Sequence, residues 1–232
     1  MRQLPLSVRL RDRALFESFH AGPNATTVAQ LLTLAVQAPP GLTWVYGPAG
    51  SGKTHLLQAI CARAGATALY LPLSQVAALQ AAALREWQGA GCLCIDELAT
   101  VVGQLEWERE LFALYRDCEE RAATLVMAAR ETPAQLPFAL PDLASRCAAG
   151  QRLGLIALDE PEQCEALRLR ARQRGFELPE ESARYLQRRL PRDMASLFAL
   201  LDELDTAALA AQRRLTVPFI RDALARRRGE GG

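Results

Sequence analysis

A glycine-rich loop that ends in a lysine and a threonine is the stretch with the clearest chemistry. It matches the phosphate-binding pattern G-x-x-x-x-G-K-[ST] through Gly47, Pro48, Ala49, Gly50, Ser51, Gly52, Lys53 and Thr54. Glycines allow successive backbone N–H groups to point inward and bind an anion. Lys53 can then reach the β- and γ-phosphates of a nucleotide, and the Thr54 hydroxyl can ligate Mg²⁺. Lys53 is the only lysine in a chain that otherwise uses arginine, which favours a role for a compact ammonium group.

Two acidic residues after a short apolar run form a second group of candidate site residues. Cys92 to Ile95 is apolar throughout, as buried parallel strands are, and Asp96 and Glu97 follow it directly, some 40 residues beyond the loop. Ligands gather at the carboxyl ends of such strands. Asp96 can hold Mg²⁺ through water, and Glu97 can polarise an attacking water. Together the two stretches predict a nucleotide site with Mg²⁺.

Strand and helix patterns alternate around these residues. The run Trp44 to Tyr46 leads into the loop, and a helix follows it. Further strands are predicted over 68–71, 92–95, 124–129 and 151–158. Helices are predicted over 26–38 with Thr26 or Thr27 as cap, over 74–87 and 105–121, and from a cap at Asp142. This alternation predicts an α/β fold with a doubly wound, parallel sheet.

The pattern changes at Asp159, after which it is helical only. Helices are predicted over 160–174, 179–189 and 193–211, with a fourth from Thr216. This shift indicates a small all-α second domain. The predicted domains are a terminal peptide over 1–12, a nucleotide-binding α/β domain over 13–158 and a helical domain over 159–232.

The first residues have no helical periodicity and carry leucines on an extended peptide. The segment Gln3, Leu4, Pro5 and Leu6 contains a proline that disfavours a helix. Two interpretations stay open from the residues alone: a disordered chain end, or a peptide that docks into a groove on a partner.

Composition limits the function classes further. With 232 residues and a formal net charge of +1, the chain has no global field that would attract nucleic acid or a membrane. No apolar run is long enough to span a bilayer, and the N-terminus lacks the apolar core of a signal peptide. Six cysteines with only two histidines disfavour a zinc site and indicate reduced thiols in a cytoplasmic protein.

Three further motifs carry a resemblance to a known family. They are the segment with Phe16, Phe19, Gly22 and Asn24, the segment Leu140 to Arg146, and the segment Arg174 to Glu180. With the two site stretches, they resemble the AAA+ ATPases, and within these the branch of the bacterial initiator DnaA and its short regulatory relatives, the Hda family. The resemblance covers nearly the whole chain. It implies an AAA+ P-loop core with a five-stranded parallel sheet, followed by an all-α lid.

The resemblance also implies partners and residue roles. It assigns contacts with ADP or ATP to Phe19, His55 and Arg192 in addition to the loop and Asp96, and Mg²⁺ to Thr54 and Asp96. It implies that Gln3 to Leu6 bind the sliding clamp (the β subunit of DNA polymerase III), so that DNA is reached only through the clamp. Arg146 would be an arginine finger presented in trans to ATP on DnaA, which makes the chain a negative regulator of replication initiation.

Two positions depart from the family pattern. Arg130 stands where a polar sensor such as aspartate is usual, and the lid arginine position holds Ala195, with Arg192 one turn earlier. Both weaken the expectation of efficient hydrolysis in the chain's own site, whereas Glu97 supplies a base for it. Whether that site hydrolyses ATP or only holds ADP therefore stays open.

Two other function classes remain as alternatives. Association of the chain with a second copy of itself also stays open. A DnaA-like protein or helicase loader would bind single-stranded DNA, which favours aromatic residues beside basic ones, and the few aromatics here are not interleaved with arginine in one loop. A small-molecule kinase would need an acceptor site and a mobile lid inserted within the core, whereas the helical segment here follows the core.

Overall fold

The computed structural model describes residues 14–189, 194–211 and 213–229. The described residues form two compact units. The first contains residues 14–19, 27–46 and 53–154, and the second contains 20–26, 47–52 and the described residues from Leu155 onward. No helix within these described ranges is long and apolar enough to cross a membrane.

A parallel sheet is the framework of the first unit. Its strands are β1 (Gly41–Tyr46), β2 (Ala68–Pro72), β3 (Cys92–Asp96), β4 (Thr124–Ala129) and β5 (Gln151–Gly154). They pair in the order β2-β3-β4-β1-β5, and every pair is parallel. Every residue of β3 and β4 is buried, which explains why their sequences are apolar except for Asp96 and Thr124. The predicted five-stranded parallel sheet is confirmed.

Helices and short 3-10 turns connect these strands. The α-helices are α1 (Ala25–Gln37), α2 (Lys53–Ala64), α3 (Leu73–Val76), α4 (Leu105–Glu120) and α5 (Pro141–Ala149). The core of the unit includes Trp44, Leu93, Leu111, Met127 and Leu143, all almost completely buried. All six cysteines lie in the described part of the chain and are free thiols, and Cys92 and Cys94 are buried in β3.

The second unit carries the predicted all-α lid. Its helices are α6 (Glu160–Gln173), α7 (Glu180–Arg189), α8 (Met194–Ala211) and α9 (Val217–Gly229). They surround a separate apolar core that includes Leu167, Leu186, Leu201 and Ile220. The all-α prediction for this part of the chain is confirmed.

The predicted helix over 74–87 is wrong. The chain forms only the single turn of α3 there, followed by a 3-10 helix over Ala81–Trp87. Residues 78–80 are exposed, so little burial stabilises a continuous α-helix. Ala81, Leu84 and Trp87 face the core instead, and their spacing of three matches the 3-10 repeat.

Three predicted element ends also differ from those of the structure. Helix α1 begins at Ala25, so Thr26 and Thr27 lie in its first turn, and the Thr27 hydroxyl donates to Gly154 O at 2.9 Å. Helix α5 begins at Pro141 after Leu140, so Asp142 is not its cap. Strand β5 ends at Gly154 and not at 158, since the Asn24 side chain hydrogen-bonds both backbone groups of Ile156.

Candidate functional site

The loop between β1 and α2 has a backbone shaped for an anion. Gly50 has φ +76° and Gly52 has φ +93°, conformations that residues with a Cβ rarely adopt. Such left-handed residues turn N–H groups toward a common point. The Ser51 hydroxyl is buried and has no hydrogen-bond partner among the described residues. These features fit the phosphate-binding role predicted for residues 47–52.

Lys53 begins α2 and is half-buried. Burial lowers the pKa of its ammonium group, the charge of Asp96 opposes this shift, and the charge of Arg130 adds to it. Arg130, the departure from the sensor pattern, is itself exposed directly after β4. A partly desolvated cation gains more from an anionic ligand than a fully hydrated one does. This environment fits a lysine that contacts phosphate.

The structure brings Thr54 and Asp96 together. Asp96 is buried at the end of β3, and its Oδ2 accepts hydrogen bonds from the Thr54 hydroxyl at 2.6 Å and the Tyr70 hydroxyl at 2.9 Å. Its Oδ1 accepts from the backbone N–H of Glu97 at 2.8 Å. A hydroxyl and a carboxylate oxygen are ligands that Mg²⁺ prefers, so this pair fits the metal.

Tyr70 is a member of this cluster that sequence reasoning missed. It lies in β2, and its register partner in β3 is Cys94, two residues before Asp96 and therefore on the same face. Burial raises the pKa of the Tyr70 hydroxyl, and the neighbouring charge of Asp96 raises it further. Only the strand register could have revealed this neighbour.

Glu97 follows β3 in an unusual backbone conformation. Its φ is +58° and its ψ is +42°, in the left-handed region, which costs a residue with a Cβ roughly 1–2 kcal/mol. Its carboxylate accepts a hydrogen bond from the Ser74 hydroxyl, just beyond β2. The predicted catalytic base is therefore exposed and held by Ser74 in this structure.

His55 and Phe19 lie side by side. Their ring centroids are 5.4 Å apart, and His55 Nε2 lies 2.9 Å from Leu15 O and 3.2 Å from Ser18 Oγ. Because a carbonyl oxygen can only accept, Nε2 carries the proton in the bond to Leu15. His55 thus attaches the segment that bears Phe19 to helix α2.

Arg146 lies on α5 and has its own neighbours on α4. Its Nη1 is 3.7 Å from Glu119 Oε1, and its guanidinium lies 5.6 Å from the centroid of the Tyr115 ring. The Arg146 side chain remains 50% exposed, and that of Glu119 46% exposed. An exposed ion pair of this kind contributes below about 1 kcal/mol, so little holds the arginine in place.

Several predicted site residues lie outside the described part of the chain. These are the four residues of the terminal peptide, Gln3, Leu4, Pro5 and Leu6, and the lid residue Arg192. Their assigned roles stay predictions. Helix α8 includes position 195, but the Ala195 side chain is not among those described.

A five-stranded parallel sheet with this loop after β1, two acids at the end of β3 and a following all-α unit defines an AAA+ P-loop ATPase. The family described as the bacterial DnaA ATPase domain matches residues 10–154, more than half of the chain. The family described as the Hda lid domain matches residues 159–224. The chain therefore belongs to the Hda/DnaA-related AAA+ proteins, a family of replication regulators.

Solved structures show the same fold. Domain III of the Thermotoga maritima initiator DnaA is 21% identical with a TM-score of 0.76, over 90% of this chain and 95% of that one. AMPPCP-bound DnaA from Aquifex aeolicus is 19% identical with a TM-score of 0.65, over 84% of this chain. A DnaA bound to AMPPCP and single-stranded DNA is 19% identical with a TM-score of 0.70, over 84% of this chain. The chain spans 66% of each of these last two proteins.

Proposed function

We propose that this chain is a nucleotide-bound adapter that docks on the DNA-loaded sliding clamp and stimulates hydrolysis of ATP bound to DnaA. It would act in the cytoplasm as a negative regulator of replication initiation. The domains proposed for this task are the clamp-binding peptide 1–12, the AAA+ domain 13–158 and the lid 159–232.

One observation carries the proposal: a lid that matches the Hda family follows an ATPase domain that matches DnaA. Because this ATPase domain matches that of DnaA, we infer that it pairs with DnaA itself. The chain is then a partner of DnaA and adds its own residues to the DnaA nucleotide.

Arg146 is the residue that we propose acts on the partner's nucleotide. A guanidinium group placed beside the transferring phosphoryl group stabilises the charge that develops in the transition state. The side chain is half-exposed, and its 3.7 Å ion pair with Glu119 is weak enough to exchange for phosphate. Phosphate is the stronger partner because it presents more negative charge to arginine than a single carboxylate does.

The chain's own nucleotide site would serve as a structural switch that holds ADP or ATP. Residues 47–52 and Lys53 would bind the phosphates, and Phe19 and His55 would lie near the base. Thr54 and Asp96 would hold Mg²⁺, which neutralises phosphate charge when it is bound. The contact between Ser74 and Glu97 keeps the predicted base occupied, which favours slow turnover or none.

Clamp docking is assigned to Gln3, Leu4, Pro5 and Leu6. The double substitution Leu4→Ala with Leu6→Ala should abolish binding to the clamp, because short extended peptides bind grooves through their apolar side chains. The variant should keep the thermal unfolding midpoint of the parent. Surface plasmon resonance on immobilised clamp measures the binding, and an unchanged clamp affinity would remove this part of the proposal.

A reconstituted reaction tests the whole proposal. DnaA preloaded with ATP is mixed with clamp loaded on DNA and with this chain, and conversion to ADP is followed over time. We expect acceleration only when clamp, DNA and the chain are all present, and the Leu4→Ala, Leu6→Ala variant should not accelerate. If wild-type chain that is bound to ADP does not accelerate hydrolysis, the adapter function is refuted.

A second candidate is direct binding of single-stranded DNA. It is favoured by the similarity to a DnaA solved with AMPPCP and single-stranded DNA. Titration of a fluorescent oligonucleotide at moderate salt separates the two functions. Micromolar or tighter binding that weakens as salt rises would support the DNA-binding function, and no binding would leave the adapter.

A further inference from the structure

A buried carboxylate on α4 contacts the backbone that leads into α5. Glu108 is fully buried, and burying a charged group is costly unless hydrogen bonds compensate it. Its Oε1 accepts from the N–H of Gly103 at 2.6 Å and of Ala139 at 3.1 Å, and its Oε2 accepts from the N–H of Leu140 at 2.6 Å. Both oxygens are therefore used, and all three donors are backbone groups.

Two of these donors fix the start of the helix that bears Arg146. Leu140 is the N-cap of α5 and has no side-chain oxygen, and Pro141, the first helical residue, has no N–H to offer. The role that short polar caps usually fill is thus taken by a carboxylate from another helix. Glu108 determines where the backbone enters α5.

Helix α4 also contacts α5 at Arg146 itself. Tyr115 and Glu119, about two and three turns along α4 from Glu108, contact the arginine as described above. Arg146 is six residues beyond Leu140, or about 9 Å along an α-helix. Helix α4 therefore holds the start of α5 firmly through buried hydrogen bonds. It holds Arg146 on α5 only weakly, through exposed contacts.

We propose that Glu108 is a positioning residue for Arg146: it fixes the start of α5, so that the arginine can leave Glu119 without the helix moving. This inference rests on the proposed function and adds to it a residue that is buried and touches no nucleotide. A displacement of 1 Å in a group that acts on a transition state can lower a rate by about 100-fold, so a fixed helix start has kinetic value.

The test compares Glu108→Gln with Glu106→Gln, an exposed glutamate on the same helix. Glutamine keeps the shape, but its NH₂ group would face a backbone N–H. Single-turnover hydrolysis of DnaA-bound ATP is measured against the concentration of each full-length variant, with clamp and DNA present. Amide hydrogen exchange of residues 137–149 in the free chain, ADP affinity and thermal unfolding are measured in parallel.

For Glu108→Gln we expect the maximal rate to fall about tenfold while the half-saturating concentration changes less than about threefold. Exchange over 137–149 should rise, and ADP affinity should stay at the wild-type value. Glu106→Gln should match the wild type in all four measurements. The unfolding midpoint should fall in either case, because a buried backbone N–H loses its acceptor. ADP affinity therefore separates the two roles, since a merely structural role would lower ADP affinity together with the rate.

A folded Glu108→Gln variant with wild-type maximal rate and wild-type exchange would overturn the inference. If the substitution prevents folding, Glu108→Asp replaces it, since it keeps the charge but shortens the side chain by one methylene; a wild-type rate would then contradict the positioning role. If the wild-type chain itself does not accelerate hydrolysis, the proposed function fails. In that case the exchange data alone decide whether Glu108 holds the start of α5.

Discussion

The charged side chains around the nucleotide loop are partly shielded from water by their surroundings. Lys53 is half-buried, and its pKa is lowered mainly by that burial, with Arg130 acting in the same direction. Asp96 is buried, and its two carboxylate oxygens accept hydrogen bonds from Thr54, Tyr70 and the adjacent Glu97. The Lys53 ammonium group on α2 and the Asp96 carboxylate on β3 are therefore partly shielded from water. In such surroundings they interact more strongly with phosphate and Mg²⁺ than they would in water.

Replacement of Lys53 should weaken nucleotide binding without unfolding the chain. We expect Lys53→Ala to lower ADP affinity by roughly 10- to 150-fold, because loss of a hydrogen bond to a charged group costs about 1.5–3 kcal/mol. Isothermal titration calorimetry with ADP and Mg²⁺ measures the affinity. Arg63→Ala, an exposed cation near the end of the same helix, is the control and should bind ADP normally. Equal affinities for both variants would remove Lys53 from the site.

At the scale of elements, the hydrophobic pattern of the sequence predicted the buried strands best. Strand β4 has the predicted bounds, since a fully buried parallel strand is a nearly continuous apolar run, here with Thr124 as its one polar residue. The contact between Thr54 and Asp96 could also be predicted, because the loop follows β1 and the acids lie at the end of β3, at the same edge of the parallel sheet. The 3-10 helix before Trp87 could not, since alanine favours an α-helix and only the burial of Ala81, Leu84 and Trp87 at a spacing of three overrides that preference.

Contacts between elements were the part that sequence patterns could not supply. Tyr70 contacts Asp96 only through the register of β2 on β3, and Ser74 contacts Glu97 from the short helix α3. Glu108 stands among charged residues of an amphipathic helix and has no local feature that marks it as buried. The contacts of Tyr70 with Asp96, of Ser74 with Glu97 and of Glu108 with Leu140 span 26, 23 and 32 residues of the chain, beyond the range of periodicity or capping rules.

The lid helices are joined by an ionic network between α6 and α8. Asp202 accepts hydrogen bonds from Arg170 at 2.7 and 3.1 Å and from Arg174 at 3.1 Å, and Arg174 also donates to Asp205 at 2.9 Å. The side chains of Asp202, Arg170 and Arg174 are 32%, 22% and 28% exposed, so water screens the network only in part. A network with shared partners contributes more than an isolated surface pair.

Removal of the Asp202 charge should destabilise the lid. We expect Asp202→Asn to lower its free energy of unfolding by about 1 kcal/mol at low salt, and less in 1 M salt. All three tryptophans, Trp44, Trp87 and Trp107, lie in the first unit. Tryptophan fluorescence in urea should therefore keep its midpoint while far-UV circular dichroism shows an earlier loss of helix.

The control for this prediction is Glu180→Gln, which removes an exposed ion pair with Arg184 within α7. It should change the unfolding free energy by less than about 0.5 kcal/mol. An Asp202→Asn variant that is as stable as this control would show that the network does not stabilise the lid.

At the scale of the whole molecule, the proposed account gives the chain two separate roles toward nucleotides. The first unit has its own core and carries the Thr54–Asp96 pair and, on a separate helix, the half-exposed Arg146. The second unit has a core of its own and matches the Hda lid. In the proposed account, the chain's own nucleotide is a structural switch, and the arginine acts on the nucleotide of DnaA.

The measurement that tests this account most directly is single-turnover hydrolysis of labelled ATP bound to DnaA, with clamp on DNA present and with wild-type or Arg146→Ala chain. Arg116→Ala, an exposed arginine on α4, is the matched control. Because the label starts on DnaA, turnover in the chain's own site does not contribute. We predict that wild type and Arg116→Ala accelerate hydrolysis and that Arg146→Ala loses at least about 100-fold of the acceleration. Full acceleration by an ADP-bound, clamp-bound Arg146→Ala chain would contradict the account.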